Sequence, residues 1–350
     1  MDTVIKRPTK SVDDRRWKGP TIAEIASESG VGTATVDRVL NGRDSVRAAT
    51  RNKVRDALTR LSGRTEINSD SGLRNIAFIS DSGLSFNRTL AEAVEQACKT
   101  RSDIACPFHA VTTAKVDIIK LAQLVERVSE TADGLVIVAR EDLMINRVLR
   151  HVTARRMPVV CLTTDLPNSG RSAYVGNDQT NAGATAAYLM GQVVGAKQGK
   201  ILLVYSAPYR GQEERELGFR RVLRSEFSHL EVDERVNSND DTDFVHQNVL
   251  RYIKDHGAPV GIYNVAGGNI GIGKALKDSG LDGAVTFIGH ELNTNSRMLL
   301  ESGVMHFAIG HDVDREAALA IEHVLALLDK KPAPAPEPTR VRIYTKYSCN

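Results

Sequence analysis

From residue 74 onward the chain repeats one unit, a short apolar run followed by a helical pattern. The runs are "IAFIS" at 76–80, "GLVIVA" at 134–139, "PVVCL" at 158–162, "KILLVY" at 200–205, "VGIYN" at 260–264 and "VTFIG" at 285–289. Segments such as "RTLAEAVEQACK" and "NAGATAAYLMGQVV" separate them. Runs that are apolar throughout, without polar alternation, belong to strands covered on both faces, and helices between them make the crossovers of a parallel sheet. The fold class is therefore α/β. Roughly ten such strands are more than one sheet holds comfortably, so residues 74–346 are expected to form two sheets in two subdomains with a cleft between them. In such sheets ligands sit beyond the carboxyl ends of the strands.

The first sixty residues follow a different rule. Residues 1–64 hold fourteen Lys/Arg against eight Asp/Glu, a balance of +6 in a chain whose net charge is +3. A basic head on a mildly acidic body is the asymmetry of a small module that meets a polyanion. Residues 1–19 are polar and aperiodic, a disordered tail by composition. Residues 20–61 read as three short helices, and 62–73 ("SGRTEINSDSGL") as a linker. In "PTIAEIASES", Thr21 and Glu24 form a capping box, and Ile22, Ile25 and Ala26 make one apolar stripe. Gly30 suits the left-handed turn that follows. Val36, Val39 and Leu40 lie on one face of the next helix, and Val54, Ala57, Leu58 and Leu61 on one face of a third. A helix, a glycine turn and a second helix make a helix-turn-helix. With the valines turned inward, Thr33, Ala34, Asp37 and Arg38 face out. Arg38 has the fork to donate twice to guanine, Asp37 can accept from cytosine, and Ala34 or the Thr33 methyl can touch thymine.

The stretch "TIAEIASESGVGTATVDRVLNG…VRAATRNKVRDALTRL" resembles the DNA-binding headpiece of the lactose-repressor (LacI/GalR) family over some forty residues. The resemblance implies that Thr33, Ala34 and Arg38 read bases, while Thr21, Gly32, Thr35 and Asn41 contact or support contacts to phosphates. Gly32 and Asp37 stand where the family usually has serines, and Arg47 replaces the serine that caps the third helix. A changed operator preference is the expected consequence. The linker lacks the family's Tyr-x-Pro-Asn and Ala-Arg-x-Leu hinge.

The remainder resembles the same family's effector domain, which shares the fold of periplasmic sugar-binding proteins. The matching landmarks are "YVGNDQTNAGATAAYL", "RGQEERELGFRRVL", "YNVAGGNIGIGKAL" and "IGHELNTNSRMLLESG". On the residues alone, Asp178, Arg215, Asn264, Asn269 and Glu291 lie at strand ends or at the starts of the following helices. Two carboxylates, a guanidinium fork and amides suit the hydroxyls of a sugar or polyol, and Phe86 offers an apolar wall. Asp178 is either a ligand contact or the cap of its own helix, and Arg215 either a ligand contact or a surface ion pair.

No enzyme constellation is present: "GGNIGIG" lacks the Lys-Ser/Thr of a phosphate loop, "YSAP" lacks a Gly-x-Ser-x-Gly elbow, and the histidines are scattered. No cofactor is expected. Cys98, Cys106, Cys161 and Cys349 have no metal-like spacing and read as buried, reduced thiols. The chain has no secretory leader pattern and no membrane-length apolar run. The expectation is a cytoplasmic, homodimeric, ligand-responsive regulator, a repressor as the family resemblance implies, that binds double-stranded operator DNA. A solute-binding protein of a sugar transport system is the alternative. The tail "KKPAPAPEPTRVRIYTKYSCN" reads as a proline linker and a closing strand.

Overall fold

The computed structural model describes residues 21–40, 46, 47, 49–51, 53, 54, 57, 73–335 and 337–349. The chain divides between Gly72 and Leu73 into two units. Residues 1–20, Asn41, Leu58, Leu61 and most of the 62–73 linker lie outside the described residues, so the disordered tail and the linker expected there do as well.

In the first unit, helices α1 (Ile22–Ser29) and α2 (Thr33–Leu40) flank the turn. The capping box forms as the sequence requires: the Glu24 amide donates to the Thr21 hydroxyl, and the Glu24 carboxylate accepts from the Thr21 amide at 2.7 Å. Gly30 ends α1 in the left-handed region (φ 65°), where a side chain would be strained. Ile25, Val36, Val54 and Ala57 form the buried centre, with Ala26, Val31 and Val39 packed against it. The apolar stripe is narrower than the sequence pattern suggested. Ile22 and Leu40 are 40% and 44% exposed, because a core this small closes over one residue per helical turn.

The second unit holds two six-stranded sheets. The first comprises β1 (Arg74–Ser82), β2 (Ile104–Ala105), β3 (Phe108–Thr112), β4 (Gly134–Val138), β5 (Val159–Leu162) and β6 (Ala173–Val175). Its order is β2-β1-β4-β5-β6, with β3 continuing the β2 edge alongside β1, and every pairing is parallel. Helices α3 (Leu84–Lys99), α4 (Ile118–Val128) and α5 (Leu143–Ala154) belong to this sheet. Along β1 the side chains alternate between two cores. Ile76 and Phe78 pack with α3, while Ala77 and Ile79 pack with α4 and α5, so both faces are buried as the unbroken apolar runs predicted.

The second sheet takes β7 (Gly199–Tyr205), β8 (Leu230–Asn237), β9 (Gly261–Asn264), β10 (Thr286–His290), β11 (Phe307–Gly310) and β12 (Arg342–Tyr344), in the order β12-β11-β10-β9-β7-β8. Helices α6 (Gln179–Val194) and α7 (Arg210–Glu226) cover one face. Helices α8 (Thr242–His256), α9 (Asn269–Asp278) and α10 (Thr294–Glu301) cover the other. β12, the closing strand, pairs antiparallel to β11.

The chain passes between the subdomains three times. It leaves the first sheet after β6, returns after β11 into helix α11 (Val313–Leu328), and crosses again before β12. Helix α11 packs Ala317, Ala320, Ile321 and Val324 onto the first sheet.

One expectation is corrected. Cys98, in the last turn of α3, and Cys106, between β2 and β3, form a disulfide with Cα atoms 6.6 Å apart. The chain reverses between helix and strand and brings the two sulfurs together despite their unremarkable spacing. Cys161 and Cys349 are free and buried, as expected.

Candidate functional site

On the first unit, Gly32, Thr33, Ala34 and Arg38 are exposed along α2, and Thr35 and Asp37 are half-buried on it. Val36 is wholly buried and Val39 partly so on the opposite side. The outward face is therefore the one the sequence assigned to base reading. Thr21, exposed at the start of α1, is occupied with the Glu24 capping box.

In the second unit the carboxyl ends of both sheets face one cleft, which encloses about 530 Å³. Phe86, Arg215, Asn269 and Glu291 line it, contributed by four different segments. Arg215 reaches the cavity because α6 and α7 cross at two glycines. A Cβ at Gly183 would fall on the carbonyl of Arg215, and one at Gly218 on the carbonyl of Thr180. Arg215 is only 5% exposed; its Nε donates to Gln179 at 2.7 Å and its Nη1 to the Val265 carbonyl at 2.8 Å. Among the described residues Nη2 has no partner. A surface ion pair is thus excluded, and a fixed fork remains with one arm unused.

Asn269 opens α9. Its Nδ2 donates to the His290 carbonyl at 2.9 Å and its Oδ1 accepts from Asn264 at 2.7 Å. Glu291 adopts a left-handed backbone (φ 68°), unusual for a residue with a side chain. Its amide donates to Ile309 O at 2.8 Å and its carbonyl accepts from Ser296 Oγ at 2.7 Å. Its carboxylate has no hydrogen-bond partner among the described residues. Burial raises the Glu291 pKa above the usual carboxylate range, against the opposing charges of His311 and Arg215.

Two assigned contacts are not on the cavity wall. Asp178 is the N-cap of α6, accepting from the Asn181 amide at 2.8 Å and from its side chain at 2.6 Å. A carboxylate already holding helix N–H groups has little left for a ligand, and its neighbour Gln179 faces the cavity instead. Asn264 is wholly buried behind the wall. It donates to Gly267 O and Asn269 and accepts from Ala266 N, which fixes the loop between β9 and α9.

The sequence reading missed a polar network that joins the subdomains across the cleft. Thr113, after β3, donates to Asp240 at 2.7 Å and lies 3.0 Å from the Tyr209 hydroxyl. Tyr209 donates to Asp81 at 3.0 Å, and Arg140 binds Asp81 through Nε (2.6 Å) and Nη2 (2.9 Å). The Glu141 amide donates to Pro208 O at 2.9 Å nearby. Asp240 has a left-handed backbone (φ 51°) and accepts from the Gly267 amide at 2.8 Å. Burial raises its pKa, although the donors Thr113, Gly267 and Ser206 oppose the rise. Asp240 follows β8, a charged edge strand that the apolar pattern does not reveal, so no strand end was recognised there.

Among the described residues no helix is long and apolar enough to cross a membrane. Residues 76–332 match the periplasmic binding protein domain family, and residues 21–62 match the bacterial regulatory proteins of the lacI family. No curated protein matches the chain significantly. Among solved structures, a glucose-galactose binding protein (GanP) from Geobacillus stearothermophilus is 17% identical with a TM-score of 0.71, covering 79% of this chain and 98% of its own. A transporter solute-binding protein from Burkholderia graminis, in complex with D-arabinose, is 21% identical with a TM-score of 0.72, covering 78% and 96%. One from Agrobacterium vitis with bound D-fucose gives 20% and 0.72 over the same shares. At such identities these neighbours establish the fold of the body. A DNA-binding headpiece thus precedes a ligand-binding body, and the chain belongs to the lacI family of bacterial regulatory proteins, its body a periplasmic binding protein domain.

Proposed function

We propose that this ligand-responsive DNA-binding regulator is a cytoplasmic, homodimeric repressor whose effector is a monosaccharide or polyol. The observation that carries the effector class is the convergence of Arg215, Asn269 and Glu291 with the Phe86 wall on one cavity of about 530 Å³. A guanidinium arm and an amide donate, a carboxylate accepts, and hydroxyls answer both. Two copies are required because one helix-turn-helix contacts a single half-site. Thr33, Ala34, Asp37 and Arg38 read bases, and Thr21, Gly32, Thr35 and Asn41 serve the backbone. Ligand acts by favouring one of two arrangements of the subdomains, since equal affinity for both would shift nothing.

The same cavity in a transport protein is the rival reading, and the headpiece weighs against it. Catalysis is not part of the proposal, and bound sugar is recovered unchanged. A gel-shift with the DNA upstream of its own coding region, repeated with D-galactose, D-arabinose, polyols and purines, tests the whole reading. Retarded DNA released by one sugar or polyol supports it. No shift with that DNA at low salt would sink the regulator, and a response to a purine alone would sink the effector class.

A further inference from the structure

Two of the three crossings between subdomains meet at one buried carboxylate, and the first joins it through Thr339. Glu316, on α11, is wholly buried. Its Oε2 lies 2.8 Å from His311 Nδ1 on the second crossing, and 3.5 Å from the hydroxyl of Thr163, the residue after β5. Its Oε1 accepts from the hydroxyl of Thr339 on the third crossing. Thr339 also donates its amide to Gly176 O at 3.0 Å on the first, and Asn177 and Thr339 form an isolated parallel bridge. The hinge is thus fastened through Glu316 and Thr339.

His311 connects this point to the cavity. Its ring is buried and lies 6.3 Å from that of Phe86, a wall residue. With Nδ1 committed to Glu316, Nε2 is buried with no partner among the described residues. Glu291, the wall carboxylate that no side chain satisfies, follows β10 beside β11, its amide bonded to Ile309 two residues before His311.

We propose that His311 is the positioning residue that couples the contents of the cavity to the hinge, bonded through Nδ1 to Glu316 at the crossings and lying beside Phe86 of the wall. This rests on the reading of the cavity as the effector site. The charged and titratable groups around the ring are Glu316 from α11, Glu291 after β10, Arg215 from α7 and His290 at the end of β10. Burial works to lower the His311 pKa, but Glu316, by charge and hydrogen bond, and Glu291 together leave it raised, while Arg215 opposes them. Burial, with the charges of Arg215 and His311, holds the His290 pKa well below the usual imidazole range. An effector hydroxyl donating to Glu291 favours its ionised form, a negative neighbour of the ring, and a hinge movement that shifts Glu316 removes the ring's bonded one. Occupancy and subdomain angle are therefore linked through one ring.

The sign follows from a raised folded pKa. The charged ring is fully present below the ordinary histidine pKa of about 6.5 and is lost as pH rises through the higher folded value. Two measurements on the full chain test this. The first needs no ligand: nitrogen-15 NMR of histidine-labelled protein, with His311→Gln to assign the signal. The wild-type ring should titrate above the ordinary histidine pKa of about 6.5, and Glu316→Gln and Glu291→Gln should each lower its midpoint. A wild-type midpoint at or below the ordinary value, or a midpoint unmoved by Glu291→Gln, would overturn the proposal. The second is calorimetric binding of D-galactose and D-arabinose from pH 6 to 9. Wild-type affinity should fall as pH rises through the His311 titration, and His311→Gln should be weaker by roughly tenfold and flat with pH. Equal binding and equal pH profiles would also overturn it. If neither sugar binds, the sugar reading fails, and the NMR result still decides the charge and its coupling to the wall.

Discussion

The hydroxyl of Thr113 donates to the carboxyl of Asp240 at 2.7 Å, and the two residues belong to different subdomains. With Tyr209 bound to Asp81 beside them, this pair ties the two subdomains together by direct contact. Thr113→Val keeps the shape and removes the donor, leaving Asp240 with one bond fewer in a buried place. A loss of about 1–3 kcal/mol from this arrangement is expected. Small-angle scattering of the variant without added sugar should show a larger radius of gyration, and an unchanged curve would count against the role of the pair.

Asp240 also gives the body a pH response. Its folded pKa is raised, so the folded state favours the protonated acid. Its contribution is complete below the ordinary aspartate pKa of about 3.9 and is lost as pH rises toward the folded value. Melting temperatures recorded across that window should show a downward component in the wild type that Asp240→Asn lacks. Parallel curves for the two proteins would refute it.

Arg38→Ala on α2 should lower specific operator affinity by ~1–3 kcal/mol while sugar binding by the body stays unchanged. The affinity that remains should keep a steep salt dependence, because phosphate contacts are left in place. Titration at two salt concentrations measures both, and full operator affinity in the variant would remove Arg38 from the reading face.

Arg215→Ala should abolish the effector response in the gel-shift. It also strands the Val265 carbonyl, so a lower melting temperature should accompany the loss. A variant that still released DNA with sugar would refute the role of the guanidinium. Gly218→Ala reaches the same end indirectly: its methyl would meet the Thr180 carbonyl and push α7 from α6, a strain of about 1–3 kcal/mol.

The sequence made the architecture legible wherever strands were buried on both faces. The six apolar runs became β1, β4, β5, β7, β9 and β10. It hid the edges: "LEVDERVN" forms β8 with charged residues on a strand that has one neighbour, where apolar content is not demanded. The cavity was partly readable, since Arg215, Asn269, Glu291 and Phe86 do line it. Asp178 and Asn264 bear suitable chemistry at suitable places, but their hydrogen bonds are spent on a helix start and a loop. Thr113, Tyr209 and Asp240 acquire meaning from partners up to 128 positions away, as with Tyr209 and Asp81, a separation no local pattern encodes.

Helix α11 belongs to the first sheet in space but comes some 140 residues after it in the chain, from β6 ending at Val175 to the helix at 313–328. During synthesis, the face of that sheet carrying Ile76, Phe78, Val136 and Val160 therefore stays uncovered on the α11 side until most of the polypeptide has left the ribosome. The first subdomain starts early and finishes late. A chain cut anywhere between residues 176 and 312 leaves an apolar sheet surface for chaperones or aggregation, so a nonsense mutation there should yield insoluble fragments instead of a free-standing half.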